Sequence, residues 1–338
     1  MNRVKQIASL VLSGVMIISS TACSKKAAQQ EILAVTEAFS KGVSSLDAEE
    51  ILRNVDGMSG SAADTFRNNI SLGNVPCLEC DLKQAIADTI TYRVEEDSIE
   101  IEKNTASIRV EFSIVDFESA TADLTGSPDK FIDAVKACTD TTDYLVTLEL
   151  VKSDKTWLVD AESITALDGL YSFLDYQFDF FKKINDEIFI QALETIGVKE
   201  SAIEVYEHTH FIYHDDDTAF SVIVMVSAKT YKGNTYFFAR CVDVETAKDL
   251  FEYHYNSYEG AFDSPNFTGV TSHDVRDDTA YLIFNGELND KFADVTTPYH
   301  DAIFRKDNVV IIVKTNMNYP DAEQEVDEFL DAIGYPHP

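Results

Sequence analysis

The sequence has little positive charge, few cysteines and no long hydrophobic run. Its 338 residues include 27 Lys and Arg against 59 Asp and Glu, which gives a formal net charge of −32. A surface this acidic repels the phosphate backbone of nucleic acids, so we expect no nucleic-acid partner. Five cysteines in a chain of this length are too few for a disulfide-rich scaffold.

The motifs of common enzyme classes are also missing. The sequence contains no nucleophile elbow, no glycine-rich phosphate loop and no HExxH zinc motif. Carboxylates are so abundant that no pair of them stands out as an acid and base. These absences favour a protein that binds over one that catalyses, and they predict no cofactor.

A hydrophobic run near the start of the sequence covers residues 7–19, IASLVLSGVMIIS. A run of about a dozen residues is too short to cross a bilayer core of about 30 Å as a helix. Arg3 and Lys5 precede the run and small residues follow it, as in a secretory signal peptide. The sequence therefore predicts export.

A cysteine stands directly after this run, in Ser20-Thr21-Ala22-Cys23. The tetrapeptide resembles a bacterial lipobox, in which the cysteine is acylated and becomes the first residue of the mature lipoprotein. The resemblance implies a signal peptide over residues 1–22, a lipidated tether over 23–30, and a protein anchored to the outer face of the cytoplasmic membrane. Two acyl chains on Cys23 suffice for stable anchoring. The alternative is a plain signal peptide cleaved after Ala22.

The periodicity of residues 31–165 predicts an α+β domain in which helices precede antiparallel strands. Apolar residues recur at helical spacing first, and alternating patterns follow. Asp47 or Ser45 is the expected N-cap of the second helix. The predicted elements are helices over 28–42, from 47 and over 128–138, a hairpin of strands 91–102 and 106–116, and a hairpin of strands 144–151 and 156–160.

The second hairpin carries a family resemblance. Leu148, Leu150-Val151-Lys152, Asp154 and Trp157-Leu158-Val159 resemble the closing strands of NTF2-like domains in bacterial lipoproteins. The resemblance covers about 130 residues and implies a cone of helices on a curved antiparallel sheet, with a pocket inside. Such pockets serve enzymes, ligand-binding proteins and assembly modules alike, so the fold does not specify a function.

Residues 166–196 are predicted to form a helix that connects this domain to a second one over residues 197–338. Two sequence echoes predict a two-layer α+β sandwich there, compatible with a ferredoxin-like arrangement and a weak internal repeat. In the first echo, residues 216–226 and 277–287 each begin with Asp-Asp-Thr-Ala and continue as an apolar segment. In the second, a strand followed by a helix is predicted at 236–256 and again at 309–334.

A histidine cluster in EHTHFIYHDDD is a candidate metal site. On a strand, His208, His210 and His214 would project from one face, and Asp215 would add an oxygen ligand. The alternative is a solvated edge strand that ends in an acidic turn. We favour the alternative, because His208 and His214 are too far apart along a strand to share one ion with His210.

Cys77 and Cys80 form a CxxC motif before a helical pattern. A thiolate at a helix N-terminus is reactive, which makes the pair a candidate redox site. The alternatives are a local disulfide or two inert thiols, favoured because Glu79 and Asp81 raise the pKa of a neighbouring thiol.

The aromatic segment 251–267 offers two interpretations as well. Exposed rings can stack on sugars, whereas buried rings close a helix onto its sheet. We favour the second. The rings concerned are Tyr253, Tyr255, Tyr258, Phe262 and Phe267.

The sequence thus predicts a membrane-anchored, extracytoplasmic lipoprotein that is a non-catalytic module for binding a ligand or a protein. Its partners would be the membrane, through the lipid, and an unidentified envelope protein or small ligand. The contact surface would be the NTF2-like cone or the groove between the domains. The alternative function is an extracytoplasmic enzyme, either a thiol-redox enzyme using Cys77 and Cys80 or a hydrolase with a His/Asp pair in a pocket.

Overall fold

The computed structural model describes residues 25–72, 78–213, 218–290 and 295–338, without the side chains of 210–213, 218 and 290. The fold is α+β, with one five-stranded and one seven-stranded sheet. The predicted signal peptide and Cys23 lie outside the described residues. Among the helices of the described part, none has the length and apolar content needed to cross a membrane.

Contacts divide the chain into two units, with boundaries that differ from the expected one at residue 165. Two segments from the first half of the sequence belong to the second unit, because their side chains are held there. The ring centroid of Phe131 lies 4.9 Å from that of Phe180, and Glu79 pairs with Arg276. The first unit comprises residues 25–72, Lys83–Ala120 and Val135–Tyr176; the second comprises residues 78–82, Thr121–Ala134 and Gln177–Pro338.

Helices precede four of the five strands of the first sheet, as the periodicity predicted, and the two-residue β1 lies between α2 and α3. Its strand order is β1-β5-β4-β3-β2; β1 runs parallel to β5 and the other neighbours are antiparallel. The elements as far as β5 are α1 (25–44), α2 (Ala48–Arg53), β1 (Val55–Asp56), α3 (Ser61–Asn69), α4 (Cys80–Ala87), β2 (Thr91–Glu102), β3 (Thr105–Val115), α5 (Phe117–Thr121), α6 (Pro128–Ala137), β4 (Thr141–Ser153) and β5 (Thr156–Asp160).

Local sequence explains how these elements begin and end. Asp47 is the N-cap of α2, where its carboxylate accepts a hydrogen bond from the backbone N–H of Glu50 at 2.9 Å. Both predicted hairpins are confirmed as β2–β3 and β4–β5. Asp154 and Lys155 have φ angles of 48° and 76°, as a two-residue turn with left-handed central residues requires. The predicted tether differs, because the chain is already helical from residue 25.

The second unit is built on a long antiparallel sheet with strand order β6-β7-β8-β12-β11-β10-β9. The helices around it are α8, α9 and α10. Its elements, with the short α7 that precedes them, are α7 (Ser172–Asp175), α8 (Asp186–Thr195), β6 (Ile203–Tyr213), β7 (Thr218–Lys229), β8 (Thr235–Cys241), α9 (Val244–Phe262), β9 (Phe267–Val275), β10 (Thr279–Asp290), β11 (Val295–Lys306), β12 (Val309–Lys314) and α10 (Ala322–Ile333).

The predicted continuous helix over 166–196 is interrupted. The chain forms a 3₁₀ helix at Ala161–Leu167 and then the short α7. Residues 176–185 form no helix, and α8 follows them. Tertiary contacts within the second unit account for the interruption. Phe178 N–H donates to the Glu79 carboxylate at 3.1 Å, and the Phe180 carbonyl accepts from Gly126 N–H at 2.8 Å. Buried aromatic contacts therefore override helix propensity here.

Helices cover both faces of the seven-stranded sheet, so the second unit differs from the predicted two-layer, ferredoxin-like sandwich. Alternate residues of β8 face opposite ways. Ala239 joins the core under α9, whereas Phe238 packs against Phe189 of α8 at 5.3 Å and Tyr236 against Phe329 of α10 at 4.6 Å. The sequence reflects this burial, because β12 reads VVIIV without polar interruption.

The two sequence echoes do not relate the same pairs of strands in the sheet. The strand–helix echo corresponds to β8–α9 and β12–α10, and β8 and β12 pair antiparallel at the middle of the sheet. The Asp-Asp-Thr-Ala echo involves β7, one strand from β8, and β10, two strands from β12. The strands that follow the two tetrapeptides therefore do not occupy equivalent positions in the sheet.

Candidate ligand-binding site

A polar cavity of about 720 Å³ opens in the second unit. This volume is within the usual range for small-molecule sites. Its lining comes from α9, the end of β9, the β9–β10 turn, the end of β11 and one residue before α8: Gln177, Lys248, Phe251, Glu252, Val275, Arg276, Asp277, Asp278 and Arg305.

Arg305 is the most unusual side chain of this lining, because its residue is only 1% exposed. Nη1 donates to the carbonyl oxygen of Asp277 at 3.1 Å, and Nη2 donates to that of Arg276 at 2.5 Å. These bonds hold the β9–β10 turn against β11. Nε has no hydrogen-bond partner among the described residues. Burial lowers the pKa of Arg305, although a guanidinium remains charged at any physiological pH.

No carboxylate pairs directly with Arg305 in the described part of the chain. Asp278, Asp307, Glu245 and Asp277 influence its charge only from a distance. A buried charge that lacks an ionic partner is costly, and an anion that reached Nε would reduce that cost.

The other basic side chains of the lining already have carboxylate partners. Arg276 Nη2 lies 2.5 Å from Glu79 Oε1, and its Nε lies 2.6 Å from Asp274 Oδ2. Although burial opposes its charge, these two carboxylates raise the pKa of Arg276. Lys248 lies 3.0 Å from Glu245 on the same helix. Neither side chain offers an unpaired cation to a ligand.

Of the three acidic side chains of the lining, one is paired with a basic residue and two are not. Asp278 pairs with Lys306 at 3.1 Å, and that hydrogen bond lowers the pKa of Asp278. Asp277 and Glu252 are exposed, and their carboxylates have no partner among the described residues. The unpaired charges of the cavity are therefore one buried cation, Arg305, and two exposed anions.

The first unit contains a smaller cavity of about 590 Å³. It lies between α3 and residues 164–175, with Phe66, Ile70 and Leu174 as apolar lining. Its charged lining consists of Asp168 and Asp175, both without a basic residue beside them in the lining. This cavity has no buried charge comparable to Arg305.

The structure does not assemble the candidate metal site from the residues that it describes. His208 is exposed, has a φ of 46° and is skipped in the β6–β7 pairing. His210 lies in β6 with its side chain outside the description, and His214 and Asp215 lie outside the described residues. No group of three or more potential metal ligands occurs among the described side chains.

The candidate redox motif contains a disulfide-bonded cysteine. Cys80, the first residue of α4, is in a disulfide, and Cys77 lies outside the described residues. Cys138 and Cys241 are free. Cys241 is fully buried, and burial together with Asp243 raises the pKa of its thiol to about 12.

The aromatic segment closes α9 onto the sheet, as favoured above. Tyr258 is buried and donates to Asp301 at 2.7 Å, while the Phe267 and Phe284 rings stack with centroids 4.6 Å apart. Tyr258 is therefore a core residue, and the partly buried rings of Tyr253, Tyr255, Phe262 and Phe267 pack against that core.

Sequence reasoning missed Arg305. Its signal is an arginine two residues after Ile303 in the strand segment AIFRK, since alternate strand residues share a face. Ile303 belongs to the core beneath α9, which places Arg305 on the same buried face. A charged residue at a core position of a strand marks a group with a special role.

Searches of protein-family models, curated proteins and solved structures found no match to this chain.

Proposed function

We propose that this protein is a lipid-anchored, extracytoplasmic binding protein without catalytic activity, and that the polar cavity of the second unit is its ligand site. The observation that carries the proposal is the Arg305 guanidinium, which is buried in the wall of a 720 Å³ cavity without a carboxylate partner in the described chain. A binding site prepares such a charge in advance for a ligand.

Binding is favoured over catalysis by the kind of side chains that line the cavity. Apart from Gln177 and the charged residues, the lining consists of Phe251 and Val275. Its described residues include no serine, cysteine or histidine that would act as a nucleophile or its base. The lining therefore suits the recognition of charge.

The sequence alone supports the anchor and the location. Cys23 follows a short hydrophobic segment within a lipobox-like tetrapeptide, and export would place both units on the outer side of the membrane. The membrane and a small ligand are the partners that this proposal requires.

For the first unit we propose the NTF2-like fold. Helices precede four of the five strands of its sheet, and Leu148, Leu150, Trp157 and Val159 of the family motif are all buried. In this proposal the first unit acts as a spacer or second contact module, because its cavity lacks an unpaired buried charge.

Thermal unfolding of a soluble chain that starts after Cys23 tests the ligand site. The probes are a panel of small organic acids, amines and amino acids, each at millimolar concentration. At least one should raise Tm in the wild-type protein, because a ligand that binds only the folded state stabilises it. Val275→Trp should abolish that shift by filling the mouth of the cavity, which Val275 lines while 58% exposed.

Val270→Trp is the matched control. Val270 lies on the same strand, is 52% exposed and does not line the cavity, so this variant should keep the full ligand-induced shift. The proposed site is wrong if both tryptophan variants respond to ligand like the wild type, or if no member of the panel shifts Tm.

A further inference from the structure

The unpaired charges of the cavity indicate the chemical class of the ligand more closely than the volume of the cavity does. Arg276, Lys248 and Asp278 are neutralised by partners within the protein. What remains for a ligand is one buried guanidinium, Arg305, and two exposed carboxylates, Asp277 and Glu252.

Arg305 favours a carboxylate as the anionic group of the ligand. Its two Nη atoms already bind carbonyl oxygens, whereas Nε–H has no partner among the described residues. An unpaired Nε–H group of a guanidinium donates a short, charge-assisted hydrogen bond to a carboxylate oxygen.

A doubly charged phosphate group fits the lining less well. Asp277 lies in the turn that Arg305 holds, and Glu252 adds a second unpaired carboxylate to the wall. Two unpaired carboxylates beside a single unpaired cation oppose a dianion. The formal charge of the whole chain, −32, opposes it further.

Asp277 and Glu252 favour amino groups elsewhere on the same ligand. Both carboxylates are exposed, line the cavity and have no cation beside them among the described residues. An ammonium group near either of them would form an ion pair, and the acidic chain would attract a ligand with net positive charge.

We propose that the cavity binds a basic amino acid, that is, a small molecule with one carboxylate and two cationic groups. The carboxylate pairs with Arg305, and the cationic groups face Asp277 and Glu252. The inference rests on the proposed function, since it names the ligand class of the same cavity.

Isothermal titration calorimetry with four probes tests the ligand class. The probes are L-lysine, Nα-acetyl-L-lysine, which lacks the α-ammonium, cadaverine, which lacks the carboxylate, and inorganic phosphate. L-lysine should bind most tightly. Nα-acetyl-L-lysine should bind about two- to fivefold more weakly, as the loss of one exposed ion pair predicts. Cadaverine should bind at least about tenfold more weakly, because it leaves Arg305 unpaired.

Four variants, one of them a control, connect the affinities to named residues. Glu252→Gln and Asp277→Asn should each weaken L-lysine binding about two- to fivefold. Both residues are exposed, so their substitution leaves folding intact. Glu259→Gln, an exposed carboxylate on the same helix that does not line the cavity, should leave the affinity unchanged. Arg305→Gln should weaken L-lysine binding at least about tenfold.

The outcomes separate this inference from the proposed function. If phosphate or cadaverine binds as tightly as L-lysine, the ligand class is wrong, and the cavity as a binding site is judged by the Val275→Trp experiment. If L-lysine does not bind, or if Glu252→Gln and Asp277→Asn bind it like Glu259→Gln, the inference is overturned. The inference is supported if L-lysine binds and if Glu252→Gln and Asp277→Asn both weaken that binding.

Discussion

At the scale of single residues, the second unit buries ionisable side chains that have very different roles. Arg305 stays charged and holds a turn, whereas His254 on α9 is 7% exposed and is kept neutral. Burial, together with the positive charge of Lys314, lowers the pKa of His254 to about 3. Asp301 nearby has its pKa raised by burial, although it accepts hydrogen bonds from Tyr258 and Thr315.

His254 should make the protein less stable in acid. Its unfolded-state pKa is about 6.5, so below that pH the unfolded chain takes up a proton that the folded chain does not. The stabilising effect of a neutral His254 is therefore complete above about pH 6.5 and is lost as the pH falls toward 3. Relative to His254→Gln, the wild type should lose about 2 kcal/mol of unfolding free energy between pH 7 and pH 5.

Urea denaturation of both proteins at several pH values measures this difference. The buried Asp301 is common to both proteins, so its own titration largely cancels. A difference in unfolding free energy that does not change between pH 7 and pH 5 would show that His254 is not held neutral in the fold.

At the scale of elements, the seven-stranded sheet depends on one close approach between neighbouring strands. Gly269 of β9 pairs with Gly286 of β10, and the ring of Phe267 lies over both. A Cβ on Gly269 would collide with the carbonyl oxygen of Asn285 and would lie 2.5 Å from the Gly286 Cα. Backbone atoms on the facing strand cannot yield as a flexible side chain can.

Gly269→Ala should therefore destabilise the protein by about 2 to 3 kcal/mol. Gly260→Ala is the matched control, because a Cβ there would meet no described atom within 4 Å and the residue lies within α9. That variant should stabilise the protein by about 0.5 to 1 kcal/mol through helix propensity. Thermal unfolding of the two variants compares them directly. Equal effects would contradict the packing described for β9 and β10.

Predictability from sequence differs sharply between elements. The hairpins β2–β3 and β4–β5 follow from alternation and turn chemistry, because their patterns are local. The helix predicted over 166–196 is interrupted because Phe178 and Phe180 pack against residues distant in sequence. The site was beyond sequence reasoning for the same reason, since α9, β11 and the β9–β10 turn form the cavity only in the fold.

At the scale of the whole molecule, the proposed lipid anchor determines where the protein encounters its ligand. The anchor hypothesis rests on Cys23 and on the short hydrophobic segment before it. Cys23→Ser should release most of the protein from the membrane fraction into the soluble fraction, because no acyl chain would then hold it. Cell fractionation and immunoblotting of the two proteins test this. If the serine variant stayed in the membrane fraction to the same extent as the wild type, the lipid anchor would be ruled out.

The account of the cavity depends most on the pairing of Arg305 with the carboxylate of a ligand. A crystal structure of the soluble chain grown with saturating L-lysine tests that pairing directly. We expect the lysine carboxylate within about 3 Å of Arg305 Nε, the distance of a charge-assisted hydrogen bond, with its amino groups toward Asp277 and Glu252. An empty cavity at saturating L-lysine, or a ligand bound with its carboxylate away from Arg305, would contradict the account.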